Sequence, residues 1–118
     1  ITELAKAPAQ CEEIPEAAHN VVSGTAGPEA LIGKTMALFL RAPADDPALT
    51  RRIEATRHVL MVEGYNTDSI DGVGESRLAQ QWTCLHYGDY AAYYLAIAYG
   101  VDPTPVPAIE HFKEMLRG

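Results

Sequence analysis

Long apolar runs are missing from this sequence: no stretch approaches the ~18 uninterrupted apolar residues that a membrane span requires, so no membrane is expected as a partner. Cysteine is scarce. Its two copies, Cys11 and Cys84, stand alone without CxxC spacing, which excludes a disulfide scaffold and fits a reducing, cytoplasmic compartment. Basic residues are few as well, 9 Lys and Arg against 16 Asp and Glu for a net charge of −7. They are scattered apart from Arg51-Arg52, so the basic stripe that neutralises a phosphate backbone is absent and nucleic acid is excluded. The 4 histidines, at 19, 58, 86 and 111, show no ligand spacing such as HExxH, and no metal or other cofactor is expected. The opening "ITELAKAPAQ" has neither the basic start nor the apolar core of a secretion signal. It also begins on Ile1 rather than Met, which predicts a piece of a longer chain.

What is present is an ordinary globular composition, 47% hydrophobic and 21% charged over 118 residues, enough for one domain spanning residues 1–118 with a real core. Residues 2–13 read as a short helix with Thr2 as its cap, broken near Pro15. "TAGPEALIGK" reads as a loop by its Gly and Pro. "TMALFLRA", residues 35–42, is a continuous apolar run of strand length, patterned for cover on both faces. Asp46 and Pro47 then form a helix start, N-cap followed by N1 proline, and Leu49, Ile53, Thr56 and Leu60 recur at helical spacing up to Gly64. "NTDSIDGV" is a second, weaker strand.

Leu78, Trp82, Leu85, Ala92, Ala96 and Tyr99 trace the expected inward seam of a long helix over about 75–99, interrupted at Gly88-Asp89, where Asp89 would cap a local break. Gly100 closes that helix, "VDPTPVP" is a stiff linker, and "AIEHFKEMLRG" is a last helix with Ile109, Phe112 and Leu116 expected inward. The order α-β-α-β-α-α argues an α/β fold with a parallel sheet and right-handed crossovers. Two strands make a poor sheet, so an N-terminal half or a partner chain is expected to complete it.

One short stretch, "PEAAHN", sets Glu16 and His19 three residues apart on a helical turn, close enough for a local hydrogen bond. With that stretch, the run "ESRLAQQWTCLHYGDYAAYYLAIAYGVDPTPVPAIEHFKEML" resembles the C-terminal half of the bifunctional phosphoglucose/phosphomannose isomerases of archaea and bacteria. Those enzymes consist of two sugar-isomerase (SIS) subdomains. The resemblance implies a C-terminal SIS-type subdomain, a parallel sheet flanked by helices and incomplete without an N-terminal SIS subdomain.

It also implies three catalytic groups: a glutamate base in a segment like "NENxK", the histidine of "PExxHN" sixteen residues later, and a lysine near the C-terminus. Those positions are Glu3 in "TELAK", His19, and Lys113 in "IEHFK". The preferred partner of His19 is then Glu3 or Lys113, with Glu16 second. Here "PEAAHNV" stands where the family has "PELNHNE", so Val21 replaces an acid. The Ser/Thr-rich loop that cradles the sugar phosphate in the family lies mainly in the N-terminal subdomain and is absent, so substrate-binding residues are not assigned and this chain alone is not expected to turn over substrate.

The chemistry suits these types. Moving a proton between C1 and C2 of a sugar phosphate through an enediol calls for a carboxylate base, the role implied for Glu3. Opening the sugar ring calls for groups that take and give protons at oxygen, as His19 and Lys113 could. The resemblance further implies a homodimer in which His19 serves the neighbouring subunit's site. The expected function is interconversion of glucose 6-phosphate or mannose 6-phosphate with fructose 6-phosphate. A non-catalytic sugar-phosphate-binding or dimerising module of the same fold is the alternative.

Overall fold

The computed structural model describes residues 1–117. Its elements run in the order α1 (Thr2–Ala5), α2 (Ala17–Gly24), a 3-10 turn (Glu29–Lys34), β1 (Met36–Arg41), α3 (Pro47–Val62), β2 (Asn66–Asp71), α4 (Arg77–Tyr99) and α5 (Pro107–Met115). The described chain divides into two compact units, one of Ile1–Gln10 with the described residues from Leu85 onward and one of Cys11–Cys84, the division falling within α4.

The Cys11–Cys84 unit is a β-α-β crossover. β1 and β2 pair in parallel from Met36 opposite Asn66 to Arg41 opposite Asp71. The expected α/β fold with a parallel sheet is what forms. Helix α3 connects the strands and packs on both, and α2 packs on α3. Its start follows the sequence closely: the Asp46 carboxylate accepts a hydrogen bond from the Ala48 N–H at 2.7 Å, and Pro47 occupies the first turn, where its missing N–H costs nothing. Ile53, Thr56 and Leu60 are the buried stripe, Arg51, Arg52 and Glu54 face water, and Gly64 turns the chain with φ +90°.

Cover on both faces of β1 is not what forms among the described residues. Met36, Leu38 and Leu40 alternate on one face and are 58%, 43% and 55% exposed, while Ala37, Phe39 and Arg41 on the other face are part-covered, the side on which α3 packs. One helix can cover only one face of a sheet, and the apolar pattern of the strand serves both.

In the other unit the expected helix over residues 2–13 stops at Ala5. Lys6 adopts the left-handed conformation (φ 54°, ψ 27°), and Pro8 biases Ala7 away from helix, so the chain leaves the helix after one turn. Ile1, not Thr2, is the cap. Ala5 is 1% exposed and anchors the turn.

The seam of α4 also differs from the expected one. Ala92 and Ala96 are buried as anticipated, but Leu78, Trp82, Leu85 and Tyr99 are exposed, and the buried line is Gln80, Ala92 and Ala96 with Cys84 and Leu95 part-buried. Small side chains let this face approach its neighbours. Helix α4 runs unbroken through Gly88, and Asp89 is exposed rather than capping a break. Gly100 does close it, with φ +69°. In α5, Ile109, Phe112 and Leu116 are 41%, 53% and 71% exposed, so the inward face expected for this helix has no cover within the described residues.

Two substitutions separate local from tertiary control. Asp46→Ala in the full-length protein should cost about 1 kcal/mol by loss of the cap. Gly72→Ala should cost more, about 2 to 3 kcal/mol, because a β-carbon there would lie 2.6 Å from the Gln80 carbonyl oxygen at the β2–α4 junction. Urea unfolding measures both, and equal costs would contradict the close approach at Gly72.

Candidate functional site

Two parallel strands end side by side, and in open α/β sheets ligands bind beyond those carboxyl ends. Here the ends are tied by charge. The Arg41 guanidinium donates to both Asp71 carboxylate oxygens, Nε at 2.8 Å and a terminal nitrogen at 3.0 Å, and its other terminal nitrogen pairs with Glu54 of α3. Glu54 lies 3.7 Å from Arg57 one turn along. The Asp71 hydrogen bond holds the Arg41 guanidinium above its already high ordinary value, burial opposing and Glu54 assisting. The side chains are partly solvated, 27% exposed for Arg41 and 58% for Asp71, so the pair fixes geometry more than it adds stability.

Beyond the strand ends, Gln80 in the first turns of α4 is 5% exposed and clasps two loops. Its side-chain nitrogen donates to the Gly74 carbonyl at 2.9 Å, and its oxygen accepts from the Ala44 N–H at 3.3 Å. Thr83 Oγ1 accepts from the Val73 N–H at 2.7 Å. Gly74, with φ +135°, leaves room where a β-carbon would lie 2.5 Å from that of Ala79. Ser76 Oγ accepts from the Ala79 N–H at 3.2 Å and caps α4. Sequence reading passed over Gln80 and Thr83, since a polar residue on a helix reads as solvated. The "DGVG" between a strand and a helix was the available signal for a tight junction.

The sequence-predicted groups are placed as follows. Glu3 is exposed on the single turn of α1, and Lys113 is exposed on the last turn of α5, in the same unit. They form no ion pair with each other among the described residues. His19 is exposed on α2, in the other unit. Glu16, the second-choice partner of His19, accepts instead from Asn20 Nδ2 at 2.9 Å, its i+4 neighbour. The His19 carbonyl accepts from Ser23 Oγ at 2.8 Å, one turn along the same helix.

Among the described residues no group of three His, Cys, Asp or Glu side chains could hold a metal ion, and no helix is long and apolar enough to cross a membrane. Both cysteines are free. Cys84 lies part-buried on α4, and its thiol is pushed up first by burial and then by the carboxylates of Asp71 and Asp45.

Comparison with known proteins gives one answer. Residues 1–116 match the family described as "Bacterial phospho-glucose isomerase C-terminal SIS domain". The bifunctional phosphoglucose/phosphomannose isomerase of Aquifex aeolicus is 35% identical over 117 residues, covering 99% of this chain and 36% of that protein. The enzyme of the same name from Caldicellulosiruptor bescii is 34% identical over 118 residues, covering 98% of this chain and 34% of that protein. That of Thermoplasma acidophilum is 33% identical over 78 residues, covering 66% of this chain and 24% of that protein. The chain thus spans about a third of the length of the first two curated relatives. No solved structure matches it.

Two measurements check the junction. Gln80→Leu should destabilise the full-length protein by about 1 to 2 kcal/mol, because it removes both hydrogen bonds that the buried Gln80 amide makes, to the Ala44 N–H and the Gly74 carbonyl, and an unchanged urea midpoint would contradict the clasp. Iodoacetamide at pH 8 should label exposed Cys11 first and Cys84 roughly tenfold or more slowly, followed by mass spectrometry; equal rates would contradict the shielding of Cys84.

Proposed function

Because this chain belongs to the family of bacterial phospho-glucose isomerase C-terminal SIS domains, we propose that it supplies, as one C-terminal domain of a longer cytoplasmic enzyme, catalytic groups for aldose–ketose isomerisation of a sugar phosphate. The substrates are glucose 6-phosphate and mannose 6-phosphate, each converted to fructose 6-phosphate. The observation that carries the reading is the match of nearly the whole chain to two enzymes named bifunctional phosphoglucose/phosphomannose isomerase. It gains support from the sixteen residues that separate Glu3 from the "PExxHN" histidine.

Glu3 is the base. Its carboxylate takes the proton from C2 of the open-chain aldose, the hydroxyl proton passes from O2 to O1 through the enediol, and the carboxylic acid returns its proton to C1. His19 and Lys113 open the ring, one taking the proton from the ring hydroxyl and the other giving one to the ring oxygen. Such a base works best partly shielded from water. Glu3 is exposed in the described chain, so its shield comes from an N-terminal SIS subdomain, which also brings the phosphate-cradling loop. A homodimer in which His19 reaches the neighbouring subunit's site is part of the same reading. The exposure of all three groups equally favours a second reading, a non-catalytic sugar-phosphate-binding or dimerising module.

A coupled assay of the full-length natural chain separates the two. Both sugar phosphates should yield fructose 6-phosphate, and Glu3→Gln should lower kcat by roughly 10³-fold with KM nearly unchanged. A folded protein that converts neither sugar supports the non-catalytic module.

A further inference from the structure

We infer that Lys6 is a positioning residue for the proposed isomerase site, tying the turn that carries Glu3 to the segment that leads into the helix carrying Lys113. The inference rests on the isomerase reading above and concerns groups of a single unit.

A helix of four residues does not hold itself. Nucleating a turn fixes several backbone angles for one hydrogen bond, and α1 is a single turn, its Ala5 N–H bonded to the Ile1 carbonyl at 2.9 Å. Something outside the turn must fix it, and besides buried Ala5 the structure offers the Lys6 side chain. Its ammonium donates to the Glu3 carbonyl at 2.6 Å, satisfying an oxygen that the end of the helix leaves without a partner, and to the Pro103 carbonyl at 3.3 Å, 97 positions away in sequence.

Two features make this more than a surface contact. The first is the backbone of Lys6, left-handed at φ 54°, where glycine is the favoured occupant at a helix end. A side chain that makes the backbone less comfortable is in place for what it reaches. The second is the stiffness of the other end of the tether. Gly100 and Val101 hydrogen-bond back to α4 through the Ile97 and Ala96 carbonyls, Thr104 N–H donates to Asp102 at 2.9 Å, and Pro103, Pro105 and Pro107 fix the path into α5, where Lys113 lies in the last turn. One cation bonded to both segments therefore sets the Glu3 turn against a rigid strut. Misplacing a catalytic group by about 1 Å can cost ~10²-fold in rate.

The test uses the full-length enzyme with Lys6→Met, which keeps the stem and removes the cation, and Lys6→Arg, which can still bond two carbonyls. Amide hydrogen exchange over residues 2–6 and 101–106 reads the tether directly; kcat and KM read its consequence. Lys6→Met should speed exchange in both segments by about tenfold and lower kcat by roughly 10- to 100-fold with KM within about threefold, and Lys6→Arg should recover most of both. Unchanged exchange in Lys6→Met overturns the tether. Faster exchange with an unchanged kcat, in an enzyme that Glu3→Gln inactivates, overturns the positioning role alone. A parent enzyme with no isomerase activity overturns the catalytic reading and the positioning role with it, a failure visible before any variant is made.

Discussion

The parallel pairing of β1 with β2 is the contact on which the Cys11–Cys84 unit depends. Six residue pairs in register bring Arg41 and Asp71 to the same strand end, where one guanidinium grips the carboxylate of the neighbouring strand and, through Glu54, the crossover helix as well. The register also decides what lies on each face. With α3 over Ala37, Phe39 and Arg41, the alternation of the strand leaves Met36, Leu38 and Leu40 without cover among the described residues. A two-stranded sheet is marginal by itself, and an apolar face of this kind is the sort that parallel sheets cover with a second layer of helices. Under the proposed reading that layer belongs to the rest of a chain whose relatives are about three times as long.

The sequence was legible where several local signals agreed. At α3 the cap, the N1 proline, the 3.6-residue period and the closing glycine all point one way, and the helix forms within those bounds. The parallel sheet followed from strand, helix and strand in alternation. The inward face of α4 was not legible for a definable reason: between Leu78 and Tyr99 the one Asp, Glu, Lys or Arg is Asp89, so the helix is apolar almost all round and periodicity cannot choose among its faces. Packing chose the alanines, which permit close approach, and left Trp82 and the tyrosines outward. Rings line up on that outer side, with His86 edge-on to Tyr90 at 4.9 Å and Tyr90 stacked with Tyr94 at 6.4 Å.

The proposed site rests on residue types and spacings, and the local contacts around it were less legible. Glu16 and His19 looked like a pair because three residues separate them; Asn20 wins the Glu16 carboxylate because an amide at i+4 presents a donor directly to it. Lys6 gave no signal in the sequence, since a left-handed backbone at a non-glycine residue leaves no trace in composition or period. Gln80 was overlooked for a similar reason: its burial depends on the glycine junction folding over it, a tertiary event. Lys6 and Gln80 share a cause: each side chain reaches a backbone group far off in sequence, the Pro103 carbonyl and the Ala44 N–H, contacts that no local window contains.

Under the proposed reading Glu3, His19 and Lys113 act on one sugar phosphate in the full-length protein. The most direct measurement is a crystal structure of that protein with a sugar-phosphate analogue of the enediol bound. The account predicts the Glu3 carboxylate within about 3 to 3.5 Å of the carbons that exchange the proton, with Lys113 and a His19, from the same subunit or its neighbour, in hydrogen-bond reach of the sugar oxygens. An analogue bound elsewhere, with Glu3 facing solvent, would contradict it.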